Sequence, residues 1–132
     1  MSHPSASDPE PRELAIQALY EADQMGWKSL PTDCDLEGKA RRLAEGVLAR
    51  RDELDEAIGQ ASEHWRVDRM PVVDRAVLRI GLYELRYEPE TPAAVILAEA
   101  VRIAKEFSTE RSGQFVNGVL ATLARHARAG TP

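Results

Sequence analysis

Apolar residues recur at intervals of three and four along most of the chain, which predicts α-helices rather than strands. A first helix is predicted from Arg12 to about Met25, and Pro11 suits its start. A long second helix is predicted from about Leu36 to Ser62. Each glycine inside it costs about 1 kcal/mol relative to alanine, which favours a bend. These glycines are Gly38, Gly46 and Gly59.

A third helix, predicted from Val72 to about Tyr87 after Pro71, is apolar on almost every side. Such a helix needs neighbours all round it, so we place it at the centre of the fold. Its polar residues are expected to share one narrow stripe: Asp74, Arg75, Arg79 and Arg86. Two interpretations of the stripe stay open, a solvated edge with local ion pairs and a surface that recognises a partner.

Two more helices complete the pattern, one from Pro92 to about Lys105 and one from about Glu110 to Arg128. Phe107 is predicted to share the inner face of the fourth helix, and Trp65 to fill the core from the link between the second and third. Candidate N-caps are Thr91 for the fourth helix and Ser108 or Ser112 for the last. No segment alternates as a strand would, so the predicted fold class is all-α.

The length and composition of the chain indicate how many domains it forms and where in the cell it acts. The chain has 132 residues, of which 43% are hydrophobic and 30% charged, as in an ordinary globular protein. We therefore predict one domain over residues 12–128, with short tails at 1–11 and 129–132. No apolar run approaches the roughly 20 residues that cross a bilayer, and the N-terminus does not resemble a secretion signal. A cytoplasmic protein without membrane contact is expected.

Charge is distributed unevenly, although the net charge of −5 argues against general affinity for nucleic acid. Residues 1–66 hold 8 Lys and Arg against 14 Asp and Glu, whereas residues 67–132 hold 9 against 8. A nearly neutral second half fits a local basic surface. Any RNA affinity should then depend on specific contacts.

The residues that support catalysis or metal binding are sparse. Cys34 is the single cysteine, and the three histidines lie far apart without a ligand spacing. The chain has no Gly-rich phosphate loop, nucleophile elbow or supported cysteine–histidine pair. We therefore expect neither an enzyme nor a bound metal or cofactor.

Signals for binding lie on the first and last helices. Gln17 and Tyr20 form a polar and aromatic pair beside the apolar stripe, although Tyr20 equally fits a half-buried core position. Phe115 either packs in the core or stacks on an unpaired base. Three polar residues beside it, at a helix N-terminus, could hold phosphate oxygens: Arg111, Ser112 and Gln114.

Three segments together resemble the transcription antitermination factor NusB family. They are RELAIQALY at 12–20, VVDRAVLRIGLYEL at 72–85 and FVNGVL at 115–120. Their order and spacing also match, with Glu99-Ala100 and Ile103-Ala104-Lys105 between the last two. The resemblance covers about residues 12 to 125 and is most specific in the C-terminal half.

The resemblance implies an all-helical fold of two packed helical subdomains. It implies binding of the boxA element of ribosomal RNA leader transcripts together with the ribosomal protein NusE, and assembly with other Nus factors on RNA polymerase. By position, the RNA-binding residues would be Arg12, Gln17, Arg111, Ser112, Gln114 and Phe115. The partner-binding residues would be Tyr20, Asp74 and, more weakly, Glu84. The resemblance thus favours an exposed stacking role for Phe115.

Two departures from the family pattern concern the first half of the chain. Members usually carry an arginine-rich segment before the first helix, whereas residues 7–12 here are acidic apart from Arg12. The connection between the first two helices is also shorter than usual. An alternative function therefore stays open, a protein-interaction module that binds NusE or forms a homodimer and has weak or lost RNA binding.

Overall fold

The computed structural model describes residues 10–63 and 65–129, and within these ranges the chain forms helices and no strand. The predicted all-α class is confirmed. The six α-helices are α1 (Pro11–Met25), α2 (Gly38–Ala49), α3 (Arg51–Ala61), α4 (Val72–Tyr87), α5 (Ala93–Phe107) and α6 (Glu110–Ala127). A short 3-10 turn, Val67–Arg69, lies between α3 and α4. Among the described helices, none is both long and apolar enough to span a membrane.

The predicted tails lie mostly outside the described residues, which begin at Glu10 and end at residue 129. Two residues placed in the N-terminal tail belong to the start of α1 instead. Pro11 is the first residue of that helix, and the Glu10 carbonyl accepts a hydrogen bond from the Leu14 amide at 3.1 Å. Proline fits this position because the first helical amides have no partner within the helix.

Helix α4 is central, as its apolar circumference predicts. Eleven of its 16 residues are buried, and it packs against each of the other five helices. Helix α1 packs mainly on α2, and α5 mainly on α6, so α4 joins two helical pairs. This arrangement matches the expected pair of subdomains.

Three buried polar side chains of α4 each bond to residues of neighbouring helices. Asp74 accepts a hydrogen bond from Ser112 of α6 at 3.0 Å. Arg79 donates twice to Asp55 of α3, at 2.8 and 2.9 Å. Glu84 accepts twice from Arg12 of α1, both at 2.8 Å. Because unpaired buried charge is strongly destabilising, these pairs favour one arrangement of the helices around α4.

The prediction of a single polar stripe on α4 is therefore wrong for Asp74, which lies on the α6 side. The arginines that remain all pair with acidic residues of α1 and α3, but only Arg75 and Arg86 fit the solvated-edge interpretation, because Arg79 is buried. Arg75 and Arg79 contact Asp23 at 3.1 and 3.4 Å, and Arg86 contacts Glu53 at 2.8 Å.

The predicted second helix is two helices, α2 and α3. The break falls at Arg50, whose φ of −121° and ψ of 22° are not helical, and not at a glycine. Gly46 lies inside α2, where its missing side chain leaves room for the ring of Tyr83 from α4. Close approach of α2 and α4, and not bending, explains that glycine.

Two aromatic residues predicted to be buried are exposed. Trp65 is 57% exposed and Phe107 is 50% exposed. The expected N-caps are also corrected. Thr109 caps α6 by accepting from the Ser112 amide at 3.0 Å, and the residue preceding α5 is Pro92, without a side-chain cap from Thr91.

Alanine substitutions at Gly46 and Gly59 are expected to change stability in opposite directions. A Cβ at Gly46 would overlap the buried ring of Tyr83, whereas a Cβ at Gly59 of α3 meets nothing within 4 Å. Gly46→Ala should lower the free energy of unfolding by about 1–3 kcal/mol through overpacking. Gly59→Ala should raise it by about 0.5–1 kcal/mol through helix propensity. Urea denaturation of both variants checks this, and equal effects would contradict the assigned α2–α4 contact.

Removal of the carboxylate at Glu84 should be far more destabilising than removal of an exposed one. Glu84→Gln leaves the buried Arg12 guanidinium without its counter-charge, which costs about 3–5 kcal/mol in the free energy of unfolding. The matched control is Glu45→Gln, because Glu45 forms an exposed pair with Arg41 in α2. That control should cost about 0.5 kcal/mol or less. Similar urea midpoints for the two variants would rule out a stabilising role for the buried pair.

Candidate nucleic-acid interface

A groove of about 590 Å³ lies where the N-terminal ends of α4 and α6 meet the connection between α3 and α4. We name it the Phe115 groove. It is lined by Trp65, Met70, Pro71, Asp74, Thr109, Arg111, Ser112, Gln114 and Phe115. It therefore gathers four of the six predicted RNA-binding residues in one place.

Phe115 lies at the boundary between core and solvent. Its ring is partly buried against the core, while the next residue, Val116, is fully buried and continues the inner stripe of α6. On its outer side the ring meets Trp65, with ring centroids 6.0 Å apart and planes at 64°. The ring therefore packs on the core and also borders an open groove, and its role in stacking on a base stays a prediction.

The polar residues of the groove divide into exposed and buried ones. Arg111 and Gln114 are exposed and available to a ligand. Ser112 is buried, and its hydroxyl donates to Asp74 Oδ2 while its amide donates to Thr109. Ser112 therefore joins α6 to α4, which corrects its expected role as a direct phosphate contact.

Asp74 is buried at the same junction. Its Oδ2 is satisfied by Ser112, and its Oδ1 has no hydrogen-bond partner among the described residues. The carboxylate lies close to the N-terminus of α6, where the helix dipole favours negative charge. Its position in the Phe115 groove separates it from Tyr20, the other main candidate for contact with a protein partner.

A second groove, of about 420 Å³, lies between α1 and the C-terminal end of α5, and we name it the Tyr20 groove. Tyr20 is 47% exposed there, opposite the exposed ring of Phe107. Gln17, predicted to bind RNA, lines this groove and not the Phe115 groove. The remaining lining residues are Glu13, Ile16, Glu21, Val73 and Ile103.

Acidic residues surround the Tyr20 groove. Arg102 of α5 forms ion pairs with four carboxylates at 3.1–3.5 Å, which leaves a local excess of negative charge. These carboxylates belong to Glu10, Glu13, Glu99 and Glu106. Burial raises the pKa of Glu10 above its ordinary value, while Arg12 opposes the shift. This surface suits a basic partner better than a phosphate backbone.

Two predicted contact residues are not available to a ligand. Arg12 is 8% exposed and Glu84 is 1% exposed. The Arg12 guanidinium donates two hydrogen bonds to the Glu84 carboxylate. Burial alone would lower the pKa of Arg12, but the hydrogen bonds and charge of Glu84 outweigh it and raise that pKa, so Arg12 stays charged. The expected roles of Arg12 in RNA binding and Glu84 in partner binding are corrected to a structural ion pair.

Three residues escaped the sequence interpretation as contact residues: Trp65 and Phe107, which line the grooves, and the exposed Arg69 in the same connection as Trp65. The available signal for Trp65 and Arg69 was an aromatic residue and arginines within a short polar connection, where binding residues often lie. Phe107 falls on the inner face by periodicity alone, but it is the last residue of α5, where the end of the helix leaves one side of the ring uncovered.

A family model, curated relatives and solved structures all match this chain to the same family. The model of the NusB family matches residues 9–125. The transcription antitermination protein NusB of Myxococcus xanthus is 43% identical over 127 aligned residues, which cover 86% of this chain and 91% of that protein. The solved structure of T. maritima NusB has a TM-score of 0.76 and 34% identity, and covers 87% of this chain and 88% of its own.

A second solved structure shares the fold at lower identity. It contains the antitermination factors NusB and NusE in complex with double-stranded RNA. It matches this chain with a TM-score of 0.74 and 24% identity, covering 88% of this chain and 94% of its own. The family match and the Myxococcus relative carry the assignment. This chain belongs to the NusB family, a family of transcription antitermination proteins and not of enzymes.

Proposed function

We propose that this protein binds boxA RNA of ribosomal RNA leader transcripts together with the ribosomal protein NusE, and so supports transcription of ribosomal RNA operons. The observation that carries the proposal is the position of Phe115, whose ring borders an open groove beside the exposed Arg111 and Gln114. Assembly with other Nus factors and RNA polymerase would follow through this complex.

The Phe115 groove has the parts that single-stranded RNA needs. An aromatic ring accepts a stacked base, since every base has a flat face. Arg111 supplies a positive charge for a phosphate, and Gln114 supplies both a donor and an acceptor for a base edge. The start of α6 adds the favourable end of a helix dipole.

The Tyr20 groove supplies a separate surface for the protein partner. Its exposed aromatic rings, Tyr20 and Phe107, offer the contacts that interface cores favour. The carboxylates around Arg102 complement a basic protein. A NusB protein of the same fold has been solved with NusE and double-stranded RNA, which supports binding of a protein and an RNA by one such domain.

The two grooves lie on either side of the connection between α5 and α6. Phe107 lines the Tyr20 groove, and Thr109, two residues further, lines the Phe115 groove. RNA and protein bound there would lie next to each other. Contacts between the two ligands would then make binding of one favour binding of the other.

Substitution of the two phenylalanines should separate the functions of the grooves. Phe115→Ala should weaken binding of boxA RNA by about 1–3 kcal/mol, because a stacked base loses its ring. Phe107→Ala is the matched control, since it removes the only other phenylalanine from the neighbouring groove. It should leave RNA binding in the absence of NusE unchanged and weaken NusE binding. Fluorescence anisotropy with labelled boxA and scrambled RNA, with and without NusE, measures both effects.

The same titration distinguishes the alternative function. If boxA and scrambled RNA bind equally weakly while NusE or a second copy of the chain still binds, the protein is an interaction module without RNA recognition. An equal loss of RNA affinity in both phenylalanine variants would also contradict the assignment of the two grooves.

Salt dependence should reflect one phosphate contact at Arg111. For single-stranded RNA, loss of one contact reduces the slope of log affinity against log salt by about 0.7. Arg111→Gln should show this reduction, whereas Arg125→Gln, at the other end of α6, should not. Titrations at several salt concentrations provide the slopes, and identical slopes for the two variants would exclude the Arg111 contact.

A further inference from the structure

We propose that Trp65 is a second nucleobase-binding residue, which holds a base of single-stranded RNA in the corner between its ring and that of Phe115. The inference rests on the proposed function and concerns another residue that lines the same groove. The sequence did not suggest this role for Trp65, which was expected to fill the core from the link between two helices.

The ring geometry forms a site for a flat group. Trp65 is 57% exposed, and its ring meets Phe115 at 64° with 6.0 Å between centroids. Two aromatic planes at this angle form a corner. A base stacked flat on one ring therefore directs its edge towards the other, which is a favourable aromatic arrangement.

The backbone on both sides of Trp65 is held in place. The buried Ser62 hydroxyl lies 2.9 Å from the Trp65 carbonyl, to which it can donate. Arg75 of α4 donates to the Asp68 carbonyl at 3.1 Å, and the Met70 side chain is buried. The connection is therefore fixed at three points while the indole remains exposed. A ring presented on a fixed backbone loses little freedom when a ligand binds.

One arginine without an ion pair lines the groove at this corner, and another lies in the same connection as Trp65. Most Lys and Arg side chains in the described part of the chain form ion pairs with carboxylates, but Arg69 and Arg111 form none there, and neither do Lys28, Arg50, Arg125 and Arg128. Arg69 follows Trp65 in the connection, and Arg111 lines the groove on α6. A cation beside the exposed ring of Trp65 and the partly buried ring of Phe115 matches the alternating phosphates and bases of a nucleic acid strand.

A nucleic acid strand fits this corner better than a protein does. The nearby carboxylates of Asp68 and Glu110 are each paired, with Arg66 and Lys105 respectively. Of the two charged residues that line the groove itself, Arg111 is exposed and Asp74 is buried, so the charge that a ligand meets there is positive. The Tyr20 groove shows the opposite, with exposed rings among an excess of carboxylates. Charge thus assigns RNA to the Trp65 corner and the basic protein to the other groove.

Tryptophan fluorescence tests the contact directly, because the chain has two tryptophans. Trp27 is partly buried against the core and lines neither groove. In a Trp27→Phe variant all tryptophan fluorescence comes from Trp65, and saturating boxA RNA should quench this emission. In the matched Trp65→Phe variant only Trp27 reports, and its emission should not change.

Affinity provides the second measurement. Trp65→Ala should raise the dissociation constant for boxA RNA by about 5- to 150-fold, and Trp65→Phe, which keeps a ring, should raise it less. NusE affinity should stay unchanged in both variants. Melting temperatures close to that of the unaltered chain would verify that the exposed substitution leaves the fold intact.

Failure of the inference can be told apart from failure of the proposed function. If the unaltered chain does not prefer boxA over scrambled RNA, both are overturned. If it does prefer boxA and Phe115→Ala weakens binding, but Trp65→Ala does not and Trp65 is not quenched, only the role of Trp65 is overturned. Loss of NusE binding with unchanged RNA binding would reassign the corner to the protein partner and overturn it as well.

Discussion

The buried polar side chains of α4 are the constraint on which the rest of the structure depends. A central helix that is apolar all round could pack against its neighbours in several rotations and registers. Asp74, Arg79 and Glu84 reduce these choices, because each is buried and is held by a neighbouring helix, Asp74 by α6, Arg79 by α3 and α1, and Glu84 by α1. A shift of α1 against α4 would separate Glu84 from Arg12, and a buried charge without its partner is unfavourable by several kcal/mol.

This constraint also shapes the candidate interface. The hydrogen bond between Asp74 and Ser112 holds the N-terminus of α6 against the start of α4, and the rings of Phe115 and Trp65 meet at that junction. Charge is then divided between two neighbouring surfaces. Carboxylates line the Tyr20 groove, whereas Arg111, which has no ion pair in the described part of the chain, lines the Phe115 groove. The RNA and the basic protein that we propose as ligands would therefore lie next to each other on one small domain.

Periodicity predicted the helices well wherever one face is apolar over several turns. The central position of α4 and the stripe of α6 followed directly from their apolar residues. The break at Arg50 did not, because the apolar spacing continues across α2 and α3 and the deviation is confined to one residue. Gly46 was interpreted as a weak point of a helix, but its role depends on Tyr83, which is distant in sequence.

The site was predicted less completely, for a physical reason. Whether a side chain is exposed at a helix end or in a connection depends on what packs over it, and spacing along the chain does not contain that information. Trp65 and Phe107 are aromatic residues of the kind found in cores, but each is about half exposed because no neighbouring element of the described chain covers its outer side. Arg12 has the residue type of an RNA contact, but it pairs with Glu84, which is 72 positions away.

The most direct test of the account is to map bound RNA on the protein by nuclear magnetic resonance. Uniformly ¹⁵N-labelled chain titrated with boxA RNA should show its largest shift changes at the amides of residues 110–118 and at the Trp65 indole. The amides around Tyr20 should respond only when NusE is added. Changes centred instead on the junction of α2 and α3, around Lys28 and Arg50, would contradict the assignment of RNA to the Phe115 groove.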